Sequence, residues 1–386
     1  MVDRAVSHDF RLYGSYHEVD GQQWNALLGA QGAPTPFLRW EFLAGLEDTS
    51  CTVAKTGWQP LPLVLCDGDG HLVAGAPAYL KGHSYGEYVF DWAWADAYGR
   101  AGLEYFPKLL VASPFSPIAG SRLLAPQGSP EIRRALLAAL RHHAESSGLS
   151  SVHVLYPDDA DLAALRAEGW LIREGVQFHW QNPGFETFED YLAALTQPKR
   201  KKIKAERRKV RQHGVATRMV RGAEITPEAL AFFYRCYECT YREHHATPYL
   251  SFEFFAGLLA AMPEQVALCL AERDGRPIAT SFFLLDGDVL YGRYWGALER
   301  VDCLHFEVAY YTPIEWAIGQ RIRRFEGGAQ GEHKLARGFT PVKTYSGHWL
   351  REPSFYDAVA RFLERESRGM EAYVDELESR NPFRMS

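Results

Sequence analysis

The sequence predicts an α+β fold in which mixed β-sheets are flanked by helices. Two observations predict it. Helical and strand-like stretches alternate along the 386 residues, and the order of elements in the first half recurs in the second. Each half reads as two helices, a hairpin with an Asp-Gly turn, a further strand, an amphipathic helix and a final strand. A chain of this length is expected to form two domains.

The first half begins its sheet with a hairpin. Apolar runs at 61–66 and 72–80 flank the turn sequence Asp67-Gly68-Asp69-Gly70. A strand is predicted at 106–115. Ser129-Pro130 then suits a helix start, and the apolar residues that follow keep helical spacing. Strands at 151–156 and 170–180 complete this half.

The second half repeats the plan. Helices are predicted near 188–195, 227–244 and 252–261, and strands at 266–272, 278–285 and 289–295. A helix over 304–319 precedes a strand at 322–325. The tail from 353 to 378 has the apolar spacing of a terminal helix.

Composition limits the class of protein. Hydrophobic residues make up 47% of the chain, enough for large cores, and no apolar run reaches the length of a transmembrane helix. The first ten residues lack the apolar core of a secretion signal. Six scattered cysteines suit a reducing compartment, so we expect a cytoplasmic protein. Cys236 and Cys239 fall in a predicted helix and are interpreted as one buried face.

Charge is concentrated in one stretch. The chain has a net charge of −6, yet residues 199–211 hold nine Lys or Arg and one Glu. A solvated helix face usually mixes both signs, so this tract predicts an anionic partner. The anion-binding residues we expect are Lys199, Lys201, Lys202 and Arg208.

A second stretch, residues 325–349, concentrates side chains that carry chemistry. Its sequence is FEGGAQGEHKLARGFTPVKTYSGHW. Two adjacent glycines allow a sharp turn or close approach of a ligand, and an acid, an imidazole, an amine and a guanidinium follow within ten residues. We therefore predict a functional site here, formed by Gln330, Glu332, His333, Lys334, Arg337, Tyr345 and His348.

This stretch resembles the FemAB-like branch of predicted N-acyltransferases in the GNAT superfamily, a branch associated with peptidoglycan biosynthesis or recognition. The segments GAQGEHKLARGF, TYSGHW and YGEYVFDWAWADAY carry the resemblance. It implies tandem GNAT-like domains, which we place at 1–182 and 183–352, the second including the basic helix 199–211, with a helical tail at 353–386. The chain departs from the Fem aminoacyltransferase pattern at Leu335-Ala336, where that pattern has Phe-Lys.

The resemblance implies an enzyme that transfers an acyl or aminoacyl group to an amine acceptor. No nucleophile elbow or Cys/His pairing is evident in the sequence, so we expect direct attack without a covalent enzyme intermediate. The resemblance also implies no tightly bound cofactor, and an acyl donor that is either acyl-CoA or aminoacyl-tRNA. The pyrophosphate signature of ordinary acetyl-CoA enzymes is missing at 299–303, which reads ERVDC. Aminoacyl-tRNA would suit the basic tract, because Lys and Arg neutralise phosphates. An anionic membrane surface would also suit it.

The same resemblance places the donor in a wedge where strands 289–295 and 322–325 splay apart, with helix 304–319 between them. Acyl transfer needs a base for the amine, donors for the oxyanion and a proton for the leaving group. We expect His333 or Glu332 as the base and Lys334 or Arg337 near the oxyanion. We expect Tyr345 to return the proton.

An aromatic tract at 85–98 is a second candidate for a wall of the substrate site. Tyr85, Asp91, Trp94 and Asp96 could hold an amine substrate through charge and cation–π contact, or the tract could be a buried sheet edge. Glu326, His333, His348, His244 and His245 lack metal-ligand spacing, so no metal is expected. The alternative function is a catalytically silent GNAT-like module that binds tRNA or another anion.

Overall fold

The computed structural model describes residues 9–328 and 331–384. The chain divides into two compact units. Unit 1 comprises residues 1–175 and 343–371, and unit 2 comprises residues 176–342 and 372–386. Two strands and the last helix therefore contribute residues to both units. The domain bounds predicted from the sequence, 182/183 and 352/353, differ from these divisions and stay a prediction.

Unit 1 is built on two sheets and five helices that precede residue 168. Its strands in chain order are β1 Asp9–Leu12, β2 Trp58–Pro60, β3 Leu63–Cys66, β4 Leu72–Ala76, β5 Ala78–Lys81, β6 Lys108–Val111 and β7 Ser151–Leu155. Its helices are α1 Gly21–Gly29, α2 Trp40–Asp48, α3 Trp92–Arg100, α4 Pro130–Ser146 and α5 Asp159–Ala167.

The predicted hairpin of the first half is confirmed. Strands β3 and β4 pair antiparallel, and β1 adds to the other edge of β3. The larger sheet of unit 1 pairs β5 with β2 and β6, and β6 runs parallel to β7 after the crossover through α4. Helix α4 buries Leu136, Leu137 and Leu140 against this layer. Each such side chain stabilises the fold by roughly 1.5–3 kcal/mol when it leaves water.

Strand β8 (Leu171–Gln181) leads into unit 2. Its helices are α6 Phe188–Ala194, α7 Gln197–Gln212, α8 Pro227–Glu243, α9 Phe252–Ala261, α10 Leu304–Phe306 and α11 Thr312–Gly319. Its strands are β9 Val215–Arg221, β10 Val266–Arg273, β11 Arg276–Asp286, β12 Val289–Ala297 and β13 Arg324–Glu326, after which β14 Phe339–Leu350 and α12 Pro353–Ser379 follow.

Strands β9 to β12 form a meander, and β13 joins it by a crossover. β10 pairs antiparallel with β9 and β11, and β11 pairs antiparallel with β12. The connection from β12 through α10 and α11 then returns β13 parallel to β12, with β8 antiparallel on the other side of β13. Both units thus contain an antiparallel pair, a crossover helix and a parallel return strand.

The crossover helix of unit 2 is irregular. A single helix was predicted over 304–319, but residues Glu307–Tyr311 form a π-helical turn between α10 and α11. Such insertions are rare and are frequently found at functional sites. The inner side of the turn is buried, with Val308 and Tyr311 in the main core of the unit.

Helix α7 is amphipathic in spite of its charge. Ile203, Glu206 and Val210 are buried at helical spacing, and the other side of the helix is exposed. Among the described residues, no helix has the length and apolar character needed to cross a membrane.

Candidate active site

The predicted wedge of unit 2 is present. Strand β12 pairs with β13 only at three positions, from Val289–Arg324 to Tyr291–Glu326. There β13 ends and the chain enters Gly327-Gly328, whereas β12 continues to Ala297. Among the described strands, none pairs with this edge of β12 after Tyr291.

The two glycines are required by the geometry. A Cβ atom at Gly327 would lie 2.9 Å from the Phe339 ring, so any other residue would force the ring or the backbone to shift. Gly328 has φ of +83°, in the left-handed region that favours glycine. The chain can therefore leave β13 sharply at the mouth of the wedge.

A cavity of about 140 Å³ lies in the wedge. Aromatic rings form much of its wall, with Phe283, Tyr310 and Phe325 among them. Polar groups also line it, namely Ser281, Arg293 and His305. Ala309 and Tyr310 of the π-helical turn also line the cavity, so the irregular part of the crossover helix helps to form it.

His333 lies beside this cavity, in the first turn of a short 3-10 helix, Glu332–Arg337. Its Nε2 is 3.1 Å from the Tyr310 hydroxyl, and its ring centroid is 5.9 Å from that of His305. Partial burial, and then the charges of Arg337 and Lys334, lower the pKa of His333. Burial, and then His333, Arg337 and Lys334, lower the pKa of His305 to about 4. Both imidazoles are therefore neutral near pH 7, the form that can accept a proton.

Lys334 is buried, with 2% of its surface exposed. Its Nζ donates to the carbonyl of Gly328 at 2.9 Å. Burial, and then repulsion from Arg293, lower the pKa of Lys334 to about 7. This amine is poised to gain or lose a proton at neutral pH, as catalytic lysines commonly are.

The other residues predicted in this loop have structural contacts. The Arg337 guanidinium is buried and donates to both oxygens of Glu206 and to the carbonyl of His333. Glu332 is held by Arg380 at 2.8 Å and by the Tyr373 hydroxyl at 3.0 Å. These two hydrogen bonds lower the pKa of Glu332, which weakens it as a base. Gln330 lies outside the described residues.

Tyr345 and His348 belong to unit 1 and have surroundings of their own there. The Tyr345 ring lies 5.5 Å from the Arg166 guanidinium. His348 is buried, with Nδ1 2.6 Å from Nδ1 of His153 and Nε2 2.8 Å from the Ser346 hydroxyl. Burial, and then His153, hold the pKa of His348 well below its ordinary value. The catalytic and binding roles predicted for these residues stay predictions.

The aromatic tract of unit 1 is a loop followed by helix α3, so it is not a sheet edge. Tyr85 is exposed and packs edge-on against Trp92, with centroids 4.9 Å apart. Trp94 is buried against His348, and Asp96 is exposed on α3. The Asp91 carboxylate is buried and bound by Lys108 at 2.5 Å and the Tyr105 hydroxyl at 2.6 Å. Its charge is thus already balanced by Lys108, and only Tyr85 and Asp96 of the four are exposed.

Lys108 is the centre of a buried charge cluster in unit 1. Its Nζ also lies 2.8 Å from Glu87, and Lys81 lies 3.9 Å from the other oxygen of Glu87. Burial alone would lower the pKa of Lys108, but Glu87 and Asp91 raise it above its ordinary value. The cluster holds the loop that carries the exposed aromatic rings.

Some basic residues of helix α7 form ion pairs within the fold, and others are exposed to solvent. Arg207 pairs with Glu307 at 2.9 Å and Glu315 at 2.7 Å, so it holds the helix against the π-helical turn and α11. Lys202 lies 4.0 Å from Glu206. Within the described part of the chain, Lys199, Lys201 and Arg208 have no ion pair, and the last two are exposed.

Several residues at the wedge were not predicted from the sequence. Arg293, Ser281, His305 and Tyr310 line the cavity or its rim. Two of these residues stand out in the sequence: Arg293 in the otherwise apolar stretch 289–297, and His305 at the start of an apolar helix. The sequence does not show that their side chains meet at one cavity, because that depends on the order of the strands in the sheet.

The chain belongs to the FemAB-like family, described as peptidoglycan biosynthesis/recognition, which it matches over residues 15–385. No curated protein matches it significantly. Among solved structures it is similar to FemX, with 11% identity, a TM-score of 0.56 and coverage of 89% of this chain and 98% of that one.

Two further structures are similar over most of the chain. L-PGS from Bacillus licheniformis shares 11% identity at a TM-score of 0.50, covering 89% of this chain and 97% of that one. The C-terminal domain of a putative lysylphosphatidylglycerol synthetase from Agrobacterium fabrum shares 9% identity at a TM-score of 0.52. The match covers 89% of this chain and 96% of that one. These likenesses concern the fold, and the predicted α+β, tandem GNAT-like architecture is confirmed.

Proposed function

We propose that this chain is an N-acyltransferase that moves an acyl or aminoacyl group from an activated donor to an amine in cell-envelope metabolism. The observation that carries the proposal is the cavity where the pairing of β12 with β13 stops, with a neutral imidazole beside it. The FemAB-like family and the similarity of fold to FemX and L-PGS support it.

His333 is the proposed base. When the ring proton is on Nε2, the imidazole donates to the Tyr310 oxygen, and Nδ1 keeps a lone pair that can accept the proton of the attacking amine. Tyr310 thereby orients the ring, and burial keeps the Tyr310 hydroxyl protonated. Glu332 is a weaker candidate, because Arg380 and Tyr373 already bind its carboxylate.

The attack joins the amine nitrogen to the acyl carbon and expels the thiol or ribose hydroxyl of the donor. The oxyanion that forms needs hydrogen-bond donors, and backbone N–H groups of β12 beyond its pairing with β13 are suited to this. The leaving group needs a proton. Lys334, part-protonated near pH 7 at the rim of the cavity, can supply it.

Aminoacyl-tRNA is the donor that we favour over acyl-CoA. The pyrophosphate signature is absent before α10, and the crossover helix begins with three residues of α-helix before the π-helical turn. Helix α7 packs on that turn through Arg207 and Glu307, and presents Lys201 and Arg208 to solvent. Phosphates bound along α7 would therefore lie near the wedge.

Hydroxylamine tests the proposal without knowledge of the natural acceptor. It is a small amine that converts an activated acyl group to a hydroxamate. We expect the protein to accelerate hydroxamate formation from mixed aminoacyl-tRNA above the uncatalysed rate, and acyl-CoA serves as the second donor. No acceleration with either donor would favour the catalytically silent alternative.

A further inference from the structure

One side of the wedge cavity is cationic. Register shifts between β11 and β12, so that Phe282 lies opposite Tyr294 and Phe283 opposite Gly292. Arg293 is the extra residue of this bulge and has no partner position on β11. A bulge redirects the side chain that it carries, and here Arg293 lines the cavity.

Ser281 provides an independent observation on the neighbouring strand. Its side chain also lines the cavity, and only 2% of the residue is exposed. Its Oγ has no hydrogen-bond partner among the described residues. A buried hydroxyl without a partner is unfavourable, and a ligand that accepts its hydrogen bond would remove that cost.

Lys334 adds a second positive charge close to Arg293. Its aliphatic chain lies against Gly327, which lines the cavity, and its pKa is lowered by burial and then by Arg293. The acid at the end of β13, Glu326, lies 3.1 Å from Arg324 and 3.8 Å from His179. Two cations that share a desolvated corner repel each other, and an anion bound beside them would relieve the repulsion.

We propose that the wedge cavity binds a carboxylate carried by one of the two substrates, with the Arg293 guanidinium and the Ser281 hydroxyl as its donors and Lys334 as a second positive charge. This inference rests on the proposed function, because it takes the cavity to be part of the substrate site. The planar fork of Arg matches the two oxygens of a carboxylate.

The volume and the apolar wall of the cavity favour a carboxylate over a phosphate. The volume of about 140 Å³ and the rings of Phe283, Tyr310 and Phe325 suit a short apolar chain that ends in a single charge. A phosphate dianion would lose more hydration on entering such a wall. The ligand class is therefore a small monocarboxylate group with an apolar stem.

Ligand-detected NMR on the full chain tests this with three probes: hexanoate, its neutral amide hexanamide, and inorganic phosphate. We expect hexanoate to bind about 10-fold or more tightly than hexanamide, as hydrogen bonds to a charged group predict. Arg293→Gln should remove that difference, and Arg293→Lys should keep part of it. The control Arg300→Gln, whose side chain is 98% exposed, should bind hexanoate as the wild type does.

Equal binding of hexanoate and hexanamide by the wild type would overturn the proposal, as would unchanged hexanoate binding by Arg293→Gln. Tighter binding of phosphate, with displacement of hexanoate, would overturn the choice of a carboxylate. If Arg293→Gln does not fold, Ser281→Ala replaces it. This variant should bind hexanoate about 3- to 10-fold more weakly than the wild type, with a smaller loss for hexanamide, because a hydrogen bond to a charged acceptor is the stronger one.

The hydroxylamine assay separates this inference from the proposed function. Arg293-dependent hexanoate binding without any acyl transfer would remove the enzymatic proposal and leave a carboxylate site. Acyl transfer without selective hexanoate binding would remove the carboxylate site and leave the enzyme.

Discussion

Arg337 and Glu206 form a buried ion pair, with contacts of 2.9 and 3.1 Å from one guanidinium nitrogen to the two carboxylate oxygens. The Arg337 guanidinium also lies 3.3 Å from the centroid of the Phe306 ring, and the Tyr311 hydroxyl donates to Glu206. The pair therefore joins the His333 loop, helix α7 and the crossover helix. It positions the loop and does not contact the cavity.

Removal of Arg337 should destabilise unit 2 strongly. Arg337→Met leaves the buried Glu206 carboxylate with the Tyr311 hydroxyl and with the exposed Lys202 amine 4.0 Å away. Loss of one partner of a buried pair costs about 3–5 kcal/mol. Urea denaturation measures this change. The control Arg276→Gln, at an exposed position in the β10–β11 hairpin, should stay within about 0.5 kcal/mol of the wild type. A loss below about 1 kcal/mol for Arg337→Met would show that the pair does not hold the loop.

The position of the candidate site could be predicted from the sequence, but its contacts could not. Gly327-Gly328 and the residues after it are local signals, and they indicated the loop. Glu206 lies 131 residues before Arg337, so no local pattern shows that it binds this guanidinium. Arg337 consequently looked like a ligand for substrate, although its polar contacts are structural.

Arg293 was not predicted as a site residue, because its place at the cavity depends on a bulge between β11 and β12. A one-residue register shift leaves little trace in hydrophobic alternation. The strand order and the parallel return of β13 were more accessible, because periodicity and Asp-Gly turns mark the strands directly.

Lys334 should make stability depend on pH. Its pKa is about 7 in the folded chain and 10.5 when unperturbed, so the unfolded chain binds more protons between these values. The free energy of unfolding should therefore rise with pH across this window, by at most about 1.4 kcal/mol per pH unit from this group. Urea denaturation at pH 7, 8 and 9 measures this free energy. The rise from pH 7 to pH 9 should be smaller for Lys334→Met than for the wild type.

The exposed variant Lys55→Met provides the comparison for Lys334, and it should follow the wild-type pH dependence. Parallel curves for wild type and Lys334→Met would mean that Lys334 keeps its ordinary pKa. That result would also weaken its role as the proton donor to the leaving group.

Lys108 should be essential to the stability of unit 1. Lys108→Met would leave Glu87 and Asp91 buried without their closest cation, at a cost of about 3–5 kcal/mol. Thermal or urea unfolding, with Lys55→Met as a matched exposed control, measures the effect. If Lys108→Met unfolds like the control, the cluster contributes no net stability.

Helix α7 should bind tRNA in a salt-dependent manner. Replacement of Lys199, Lys201, Lys202 and Arg208 by Gln removes one exposed ion pair, between Lys202 and Glu206 at 4.0 Å, and three charges without an ion pair among the described residues. Exposed pairs contribute little to stability, so folding should be almost unchanged. If all four contact phosphates, log K against log salt should have a slope of about −3 for the wild type and a much flatter one for the variant.

A triple variant on α12, with Arg361, Arg365 and Arg368 changed to Gln, controls for general loss of positive charge and should keep the wild-type slope. Binding to anionic vesicles, measured in the same salt series, separates a membrane surface from tRNA. Salt-independent binding, or no binding to tRNA, would remove the main support for an aminoacyl-tRNA donor.

Acyl transfer at His333 is the central claim, and hydroxamate formation measures it most directly. The rate with aminoacyl-tRNA and hydroxylamine should exceed the uncatalysed rate for the wild type, and His333→Gln should lower the catalysed rate by about 10²- to 10⁴-fold. His142→Gln, at an exposed position on α4, should react like the wild type. A folded His333→Gln variant that forms hydroxamate as fast as the wild type would contradict the account.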